Sequence, residues 1–381
     1  MDYTDNYYRK YFGLKMLDNS CICKEYTKGL EKCYVFFNNN RIVKIIYVLF
    51  NEMFMNFWER DVNYETAEDN TIVLPKTSKG KPKKITFSVL ENLDGEGTYF
   101  SIWQSKGEDG YFIIGNYTTE KSFYEDKVKE QLLNEDDLKK WMDNYINETT
   151  EDDLYEIAAF SHEKRKHVNY EEGDYFRVKI GRHEYSYGRI LMDIPKRRKM
   201  GLKYWDVLMG KPLIVEMFHI LTEDKNVPVS MLENLPTFPS QHILNNNFYF
   251  GDYEIIGKGK LPSVIKYPIM YGKDIHGLNS KIICFQCGEI YKEIPYDNNI
   301  IKRKECTIAN VGIGGFVNNG IKYTIIEDKK TIEECIKQKS NKPYWNQYNI
   351  YDIRHPDNRD YLLKVLKQFD LEELYDIYKN L

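Results

Sequence analysis

The strongest structural signal in the chain is the stretch Asp174-Tyr175-Phe176-Arg177-Val178-Lys179-Ile180, then Gly181-Arg182-His183-Glu184, then Tyr185-Ser186-Tyr187-Gly188-Arg189-Ile190-Leu191-Met192. Successive side chains of a β-strand point to opposite faces, so alternate residues share a face. Phe176, Val178 and Ile180 share one face of the first arm, and alternate residues from Tyr185 to Leu191 share one face of the second. The pattern predicts a β-hairpin that opens a curled antiparallel sheet.

The rest of the second half continues the β pattern and then changes to a helical one. Three further apolar runs predict strands, at residues 211–220, 248–256 and 281–291. From residue 359 to residue 381 the apolar side chains recur at helical spacing, and this pattern breaks near Asp370. We therefore predict a curled β-sheet followed by a terminal amphipathic helix.

The first half also predicts strands. Residues 33–37, the turn Asn38-Asn39-Asn40 and residues 41–50 fit a hairpin, although a helix over residues 45–58 fits nearly as well. Residues 85–90 alternate in polarity, and residues 98–103 and 111–114 follow after Gly-containing turns. Three strands joined by short turns predict an antiparallel meander.

Two helices should close the first half. Asn134 precedes Glu135-Asp136-Asp137, and a second acidic stretch lies at residues 149–153. N-cap residues and first-turn acids stabilise helix starts, so each stretch predicts the start of a helix. The basic stretch of residues 162–167 then ends the segment. We predict an antiparallel, β-rich α+β protein with two domains, residues 1–160 of unknown role and residues 168–381.

The composition fits a folded cytoplasmic protein. Apolar residues make up 42% of the chain, and the formal net charge of −4 argues against general nucleic-acid binding, which favours basic surfaces. Seven cysteines spread over 381 residues suit a reducing compartment. No signal peptide is recognisable at the start, and no run approaches the roughly 20 apolar residues of a membrane span. We expect a cytoplasmic location and no direct contact with membrane or nucleic acid.

Three motifs suggest chemistry, and each is better explained by structure. Cys284-x-x-Cys287 lacks the companion ligands of a zinc site and lies in a predicted strand, where the two thiols would face opposite sides. The cluster Gly312-Ile313-Gly314-Gly315 is not part of a strand–loop–helix unit that would bind a dinucleotide. Asp252-x-Glu254 has no lysine at nuclease spacing. We predict no catalytic residues, no cofactor and no metal.

Six short motifs in the second half occur in the order and spacing of a known family. They are Glu172-Gly173-Asp174-Tyr175-Phe176, Tyr187-Gly188-Arg189-Ile190-Leu191, Tyr249-Phe250-Gly251-Asp252-Tyr253-Glu254-Ile255-Ile256-Gly257, Phe285-Gln286-Cys287-Gly288, Tyr344-Trp345 and Asp352-Ile353-Arg354-His355-Pro356-Asp357-Asn358. With these motifs, the segment from about residue 168 to the end resembles the immunity protein 26 family of bacterial polymorphic-toxin systems. The resemblance implies an α+β domain without catalytic activity that neutralises a cognate protein toxin, with a nuclease as one candidate. Residues 1–160 lie outside it.

The resemblance also supplies candidate contact residues for that partner: Tyr187, Arg189, Tyr344, Trp345 and Arg354. Trp and Tyr dominate the energetics of many interfaces, but Tyr344 and Trp345 fit a hydrophobic core equally well. Arg354 fits an internal bridge to the terminal helix. Two alternatives to an immunity protein stay open: a component of anti-phage defence, and an enzyme, such as a nuclease, with its site in the first half. If the chain is an enzyme, we expect a pocket in which carboxylates or histidines with shifted pKa values converge.

Overall fold

A computed structural model describes residues 2–75, 77–201, 210–273, 282–295, 317–318, 329–347 and 352–379. The chain divides into two compact units, Met1–Lys166 and His167–Leu381, which we call the N-terminal and the C-terminal unit. Both combine antiparallel sheets with helices, so the predicted α+β class is confirmed. No helix within the described ranges is long and apolar enough to cross a bilayer.

The N-terminal unit is built on a seven-stranded antiparallel sheet in its described residues, in the order β1-β2-β3-β4-β7-β8-β9. A short 3₁₀ helix, Arg9–Phe12, precedes the sheet. The elements are β1 (Ile22–Lys28), β2 (Glu31–Asn38), β3 (Arg41–Phe50), β4 (Phe54–Glu65), β5 (Ile72–Val73), β6 (Lys83–Lys84), α1 (Phe87–Glu91), β7 (Glu96–Ser105), β8 (Gly110–Asn116), β9 (Lys121–Val128), α2 (Glu135–Asn147) and α3 (Glu151–Ser161).

The strand predictions for this unit are confirmed with one exception. The hairpin of β2 and β3 forms as predicted, and the alternative helix over residues 45–58 is wrong. Asn51 interrupts that run, because its side-chain oxygen accepts the backbone N–H groups of Met53 and Phe54 and turns the chain into β4. The predicted strand at residues 85–90 is also wrong. Thr86 instead caps helix α1, which buries Phe87 and Leu90.

Both predicted helices of the N-terminal unit are confirmed. The side chain of Asn134 accepts the N–H groups of Asp136 and Asp137 at the start of α2. Thr150 and Asp153 form a reciprocal capping box at the start of α3. Helix α2 buries Leu138, Trp141, Met142 and Tyr145 against one face of the sheet. Acidic first turns and buried apolar faces therefore place both helices where the sequence predicted them.

The C-terminal unit contains, among its described residues, a six-stranded sheet and a three-stranded sheet. The larger sheet is open, in the order β14-β10-β11-β12-β13-β18, and the smaller one has the order β15-β16-β17. Its elements are β10 (Asp174–Lys179), β11 (Tyr185–Asp193), α4 (Ile194–Lys199), β12 (Pro212–Met217), α5 (Val229–Leu232), β13 (Gln241–Leu244), α6 (Asn246–Tyr249), β14 (Glu254–Lys258), β15 (Ile269–Lys273), β16 (Ile282–Cys287), β17 (Ile290–Pro295), β18 (Val317–Asn318), α7 (Lys329–Gln338), α8 (Lys342–Gln347), α9 (Arg359–Gln368) and α10 (Tyr375–Tyr378).

The predicted hairpin is β10 and β11, and it is buried on both faces. Phe176, Val178 and Ile190 belong to one hydrophobic cluster, and Tyr175 and Tyr187 belong to a second. Strands β14 and β12 flank the hairpin, so it lies inside the sheet. A strand pair covered on both faces and both edges depends on close packing at every position.

Gly188 is where this packing is tightest. It lies opposite Phe176 in the register of the hairpin. A Cβ atom at residue 188 would collide with the Phe176 ring and would lie 2.6 Å from the Met217 sulfur and 2.7 Å from the Glu216 carbonyl oxygen. Because the last of these is a backbone atom, the strand itself would have to move. The position therefore requires glycine.

Two strand predictions in this unit need correction. Residues 248–256 begin in the short helix α6, and only their last part forms β14. The run of residues 281–291 is two strands, because a turn at Gly288, with φ of 56°, separates β16 from β17. The terminal helix and its break are confirmed: α9 ends before Asp370, which has φ of 51°, and a 3₁₀ turn and α10 follow.

Replacing Gly188 with alanine tests how tightly the hairpin is packed. We expect Gly188→Ala to destabilise the C-terminal unit by about 2–3 kcal/mol, or roughly 5–10 °C in melting temperature, because the strand cannot accommodate the extra methyl group. Gly257→Ala is the matched control, since a Cβ there meets only the end of the Val229 side chain, at 3.0 Å. Thermal unfolding followed by circular dichroism measures both. Equal melting temperatures for the two variants would contradict this packing.

Candidate functional site

Arg189 is fixed inside the C-terminal unit. Its guanidinium pairs across the sheet with Glu216, the residue opposite it on β12. It also donates to the Tyr175 hydroxyl and to the Lys260 carbonyl oxygen, both at 2.9 Å. The rings of Tyr175 and Phe218 stack at 5.6 Å and lie within 5.3 and 5.6 Å of the guanidinium. The network joins β10, β11, β12 and the segment after β14.

Tyr187 lies on the same strand and belongs to the same hydrophobic cluster as Tyr175. Its ring is fully buried, and its hydroxyl donates to the Asp224 carbonyl oxygen at 2.6 Å. Burial raises the pKa of Tyr187, so the hydroxyl stays protonated at neutral pH. The structure thus brings Tyr187 and Arg189 together, both with partners inside the unit.

Arg354 forms a second buried network. It makes a bidentate ion pair with Asp352, with a shortest distance of 2.7 Å, and donates to the Ser240 carbonyl oxygen at 3.0 Å. The Asn358 side chain donates to the Asp352 carbonyl oxygen at 2.7 Å. Burial, with Arg354 nearby, lowers the pKa of His242 to about 3. The network fastens the segment before α9 to the segment that leads into β13.

Tyr344 and Trp345 lie on helix α8. Both belong to the cluster that contains Phe176 and Ile190, and their exposed fractions are 5% and 2%. The Tyr344 hydroxyl accepts a hydrogen bond from the Gln241 amide at 3.2 Å. His355 donates from Nε2 to the Trp345 carbonyl oxygen at 2.7 Å. All five predicted contact residues are therefore buried. Tyr187 and Arg189 form one group on β11. Tyr344, Trp345 and Arg354 form the other, which the bond from His355 to Trp345 connects.

A cavity of about 480 Å³ lies beside Trp345. It is lined by His219, Pro236, Lys339, Ser340, Asn341, Lys342, Trp345, His355, Pro356, Asp357 and Arg359. Of these, only Trp345 had been predicted as a site residue. His219 and Asn341 are 122 positions apart in the chain, yet His219 Nε2 lies 2.8 Å from the Asn341 side-chain oxygen. No local motif connects residues so distant in sequence, so the cavity could not be predicted from the sequence.

The two cysteines of Cys284-x-x-Cys287 face opposite sides of β16, as predicted, and pack in different hydrophobic clusters. The Cys287 sulfur lies 3.0 Å from the Tyr378 hydroxyl, and burial raises the pKa of this thiol to about 11. A neutral buried thiol is a poor metal ligand and a poor nucleophile. The described ranges hold no group of three or more His, Cys, Asp or Glu side chains arranged to bind a metal. The Gly312–Gly315 motif lies outside them.

The described residues of the N-terminal unit include a buried ionisable cluster. Glu59, on β4, binds Arg9 at 2.6 Å, Lys44 at 2.9 Å and the Tyr8 hydroxyl at 2.5 Å, and Lys44 also binds Asp61 at 2.6 Å. Burial alone would raise the pKa of Glu59, but Lys44 and Arg9 hold it below its ordinary value. Burial raises the pKa of Asp61. Two cations balance two anions, so the cluster attaches the N-terminal segment to the sheet without net charge.

A cavity of about 560 Å³ beside Asp61 is lined partly by Ser161 and His162. The Ser161 hydroxyl lies 3.0 Å from His162 Nδ1, an arrangement that a nucleophile and its base would need. However, Nδ1 also lies 2.8 Å from the Ala158 carbonyl oxygen. A ring nitrogen that faces a carbonyl oxygen must carry the proton, so His162 Nδ1 donates there and cannot take a proton from Ser161.

Comparisons with known proteins give one positive result. No curated protein and no solved structure matches the chain. A match to a family model begins before the hairpin of β10 and β11 and ends before β16. It includes the predicted contacts Tyr187 and Arg189, and the motifs from residue 285 onward lie beyond it. Residues 171–281 of this chain match the family described as Immunity protein 26, and the N-terminal part is unmatched.

Proposed function

We propose that this protein is a cytoplasmic immunity protein that binds a cognate bacterial toxin and blocks it. The observation that carries the proposal is the family match over residues 171–281, which contain the hairpin at the centre of the C-terminal unit. The toxin would belong to a polymorphic-toxin system, and a nuclease is the class we favour. The C-terminal unit would supply the specific contacts.

An inhibitor that acts by binding accounts for the charged cluster around Glu59 and for the Ser–His pair better than an enzyme does. The charged cluster around Glu59 is neutral as a whole and buried, with only Asp61 at the lining of a cavity. The pair of Ser161 and His162 beside a cavity of the N-terminal unit has its base nitrogen, Nδ1, committed to a carbonyl oxygen. We therefore assign both to packing and not to a nuclease-like active site.

The five predicted contact residues fit a supporting role under this proposal. Arg189, paired with Glu216, reaches the Lys260 carbonyl oxygen, and Arg354, paired with the neighbouring Asp352, reaches the Ser240 carbonyl oxygen. Each arginine therefore links segments far apart in sequence. Rigid support reduces the conformational entropy that a binding surface loses when it meets its partner. The direct contacts would then come from exposed side chains above these networks, and Trp345 would hold helix α8 in place.

The distribution of charge suggests a role for the N-terminal unit. Residues 1–166 hold 23 Lys and Arg against 30 Asp and Glu, whereas residues 167–381 hold 31 against 28. The acidic excess therefore lies in the half that the family does not match. We infer that this unit attracts a basic toxin and raises the rate of encounter, an effect that salt would screen.

A growth experiment tests the proposal. The killing domain of the toxin encoded beside this gene is induced in cells with and without the full chain, and survival is counted. We expect rescue by the chain and loss of rescue with Gly188→Ala, because that variant disturbs the central hairpin. Gly257→Ala should rescue as well as the native chain does. Equal killing with and without the native chain would refute the proposal.

Truncating Trp345 separates a core role from a contact role. Because its side chain is 2% exposed, we expect Trp345→Ala to lose about 3–5 kcal/mol of stability and to lose rescue for that reason. Trp345→Phe should keep both folding and rescue. Trp103→Ala, at a half-exposed tryptophan of the other unit, is the matched control and should unfold nearer the native temperature. Lost rescue at an unchanged melting temperature would instead make Trp345 a contact.

A further inference from the structure

The cavity beside Trp345 has an unusual excess of positive charge. Its lining includes the cations Lys339, Lys342 and Arg359, against a single carboxylate, Asp357, in the described part of the chain. None of the three cations forms an ion pair with another described residue. The Asp357 side chain is 90% exposed, and its nearest charged neighbour is His355, at 3.8 Å. Three cations thus share one cavity with little internal compensation.

Lys339 occupies a backbone position that favours glycine. It follows helix α7 with φ of 50°, in the left-handed region. The Ser340 N–H then bonds back to the Cys335 carbonyl oxygen at 3.1 Å, which closes the helix end. A side chain here costs free energy that glycine would avoid. The turn nevertheless carries a lysine, and this lysine belongs to the cavity lining.

Two residues of the cavity lining also carry a buried polar atom that has no partner among the described residues. Asn341 donates to the Thr237 carbonyl oxygen at 3.0 Å, so its own oxygen faces His219 Nε2, which must carry the proton. The other nitrogen of His219 then has no hydrogen-bond partner, and neither has the indole N–H of Trp345, within the described residues. Buried polar atoms without partners are uncommon, so these two positions call for an explanation.

From these observations we propose that the cavity is a binding site for the phosphate group of a small phosphomonoester. A phosphomonoester carries about −1.5 to −2 charge at neutral pH, which balances three cations and one carboxylate. The cavity is much larger than one phosphate, and its volume lies in the usual range for small-molecule sites, roughly 300–1,000 Å³. Pro236 and Pro356 provide apolar surface for the organic part, whereas Trp345, at 2% exposure, lies almost entirely beneath the lining. This site is separate from the proposed toxin binding and is tested without a toxin.

Isothermal titration calorimetry on the full chain tests the site. The probes are adenosine monophosphate, inorganic phosphate and acetate, at fixed ionic strength in chloride. We expect saturable one-site binding of adenosine monophosphate, weaker binding of inorganic phosphate and none of acetate. Arg359→Gln and Lys339→Gly should each weaken binding about tenfold, the usual effect of losing one charge-assisted hydrogen bond. Lys339→Gly should also keep or raise the melting temperature, because glycine relieves the backbone strain.

Lys364→Gln is the matched control, because Lys364 is exposed on the same helix as Arg359 and is not part of the cavity lining. It should bind the phosphate probes as the native chain does. If Arg359→Gln fails to fold, Lys339→Gly still decides the question. The proposal is overturned if neither phosphate probe saturates, if acetate binds as tightly as the phosphomonoester, or if Lys364→Gln weakens binding as much as the cavity variants do.

Discussion

Burial of one hairpin on both faces is the constraint on which the C-terminal unit depends. Strands β10 and β11 present Phe176 and Val178 to one core and Tyr175 and Tyr187 to another, and β14 and β12 cover both edges. Of the two strands, only Arg177, Lys179 and Asp193 are partly exposed, so neither face is open to solvent. A slip of one residue would exchange the two sets of side chains, so the hairpin is held in one register only.

The polar networks extend this order to distant parts of the chain. Arg189 connects the hairpin to the carbonyl oxygen of Lys260, and Arg354 connects the segment before α9 to Ser240. Buried ion pairs contribute little net stability, but breaking one is costly because an unpaired charge is left inside. We infer that these arginines fix the arrangement of loops around the sheet. Arg189 and Arg354, both predicted as contact residues, are thus buried within the C-terminal unit.

Local patterns predicted most of the fold, and the failures have physical reasons. The hairpin of β10 and β11 and the capped helices α2 and α3 depend on alternation and on first-turn chemistry, which neighbouring residues supply. The run of residues 85–90 alternates as a strand does, yet the Thr86 cap makes it a helix. The cavity was missed because His219, Asn341 and Arg359 come together only in the folded chain. The spacing of residues in the sequence carries no information about such tertiary contacts.

We propose that this protein neutralises a toxin by direct binding. The most direct measurement mixes the purified chain with the purified killing domain of the neighbouring toxin and follows both the complex and the toxin's activity. We predict a 1:1 complex with a dissociation constant below about 10⁻⁷ M, in the range of specific interfaces, and loss of toxin activity at equimolar chain. Full toxin activity in the presence of excess folded chain, without a detectable complex, would contradict the claim.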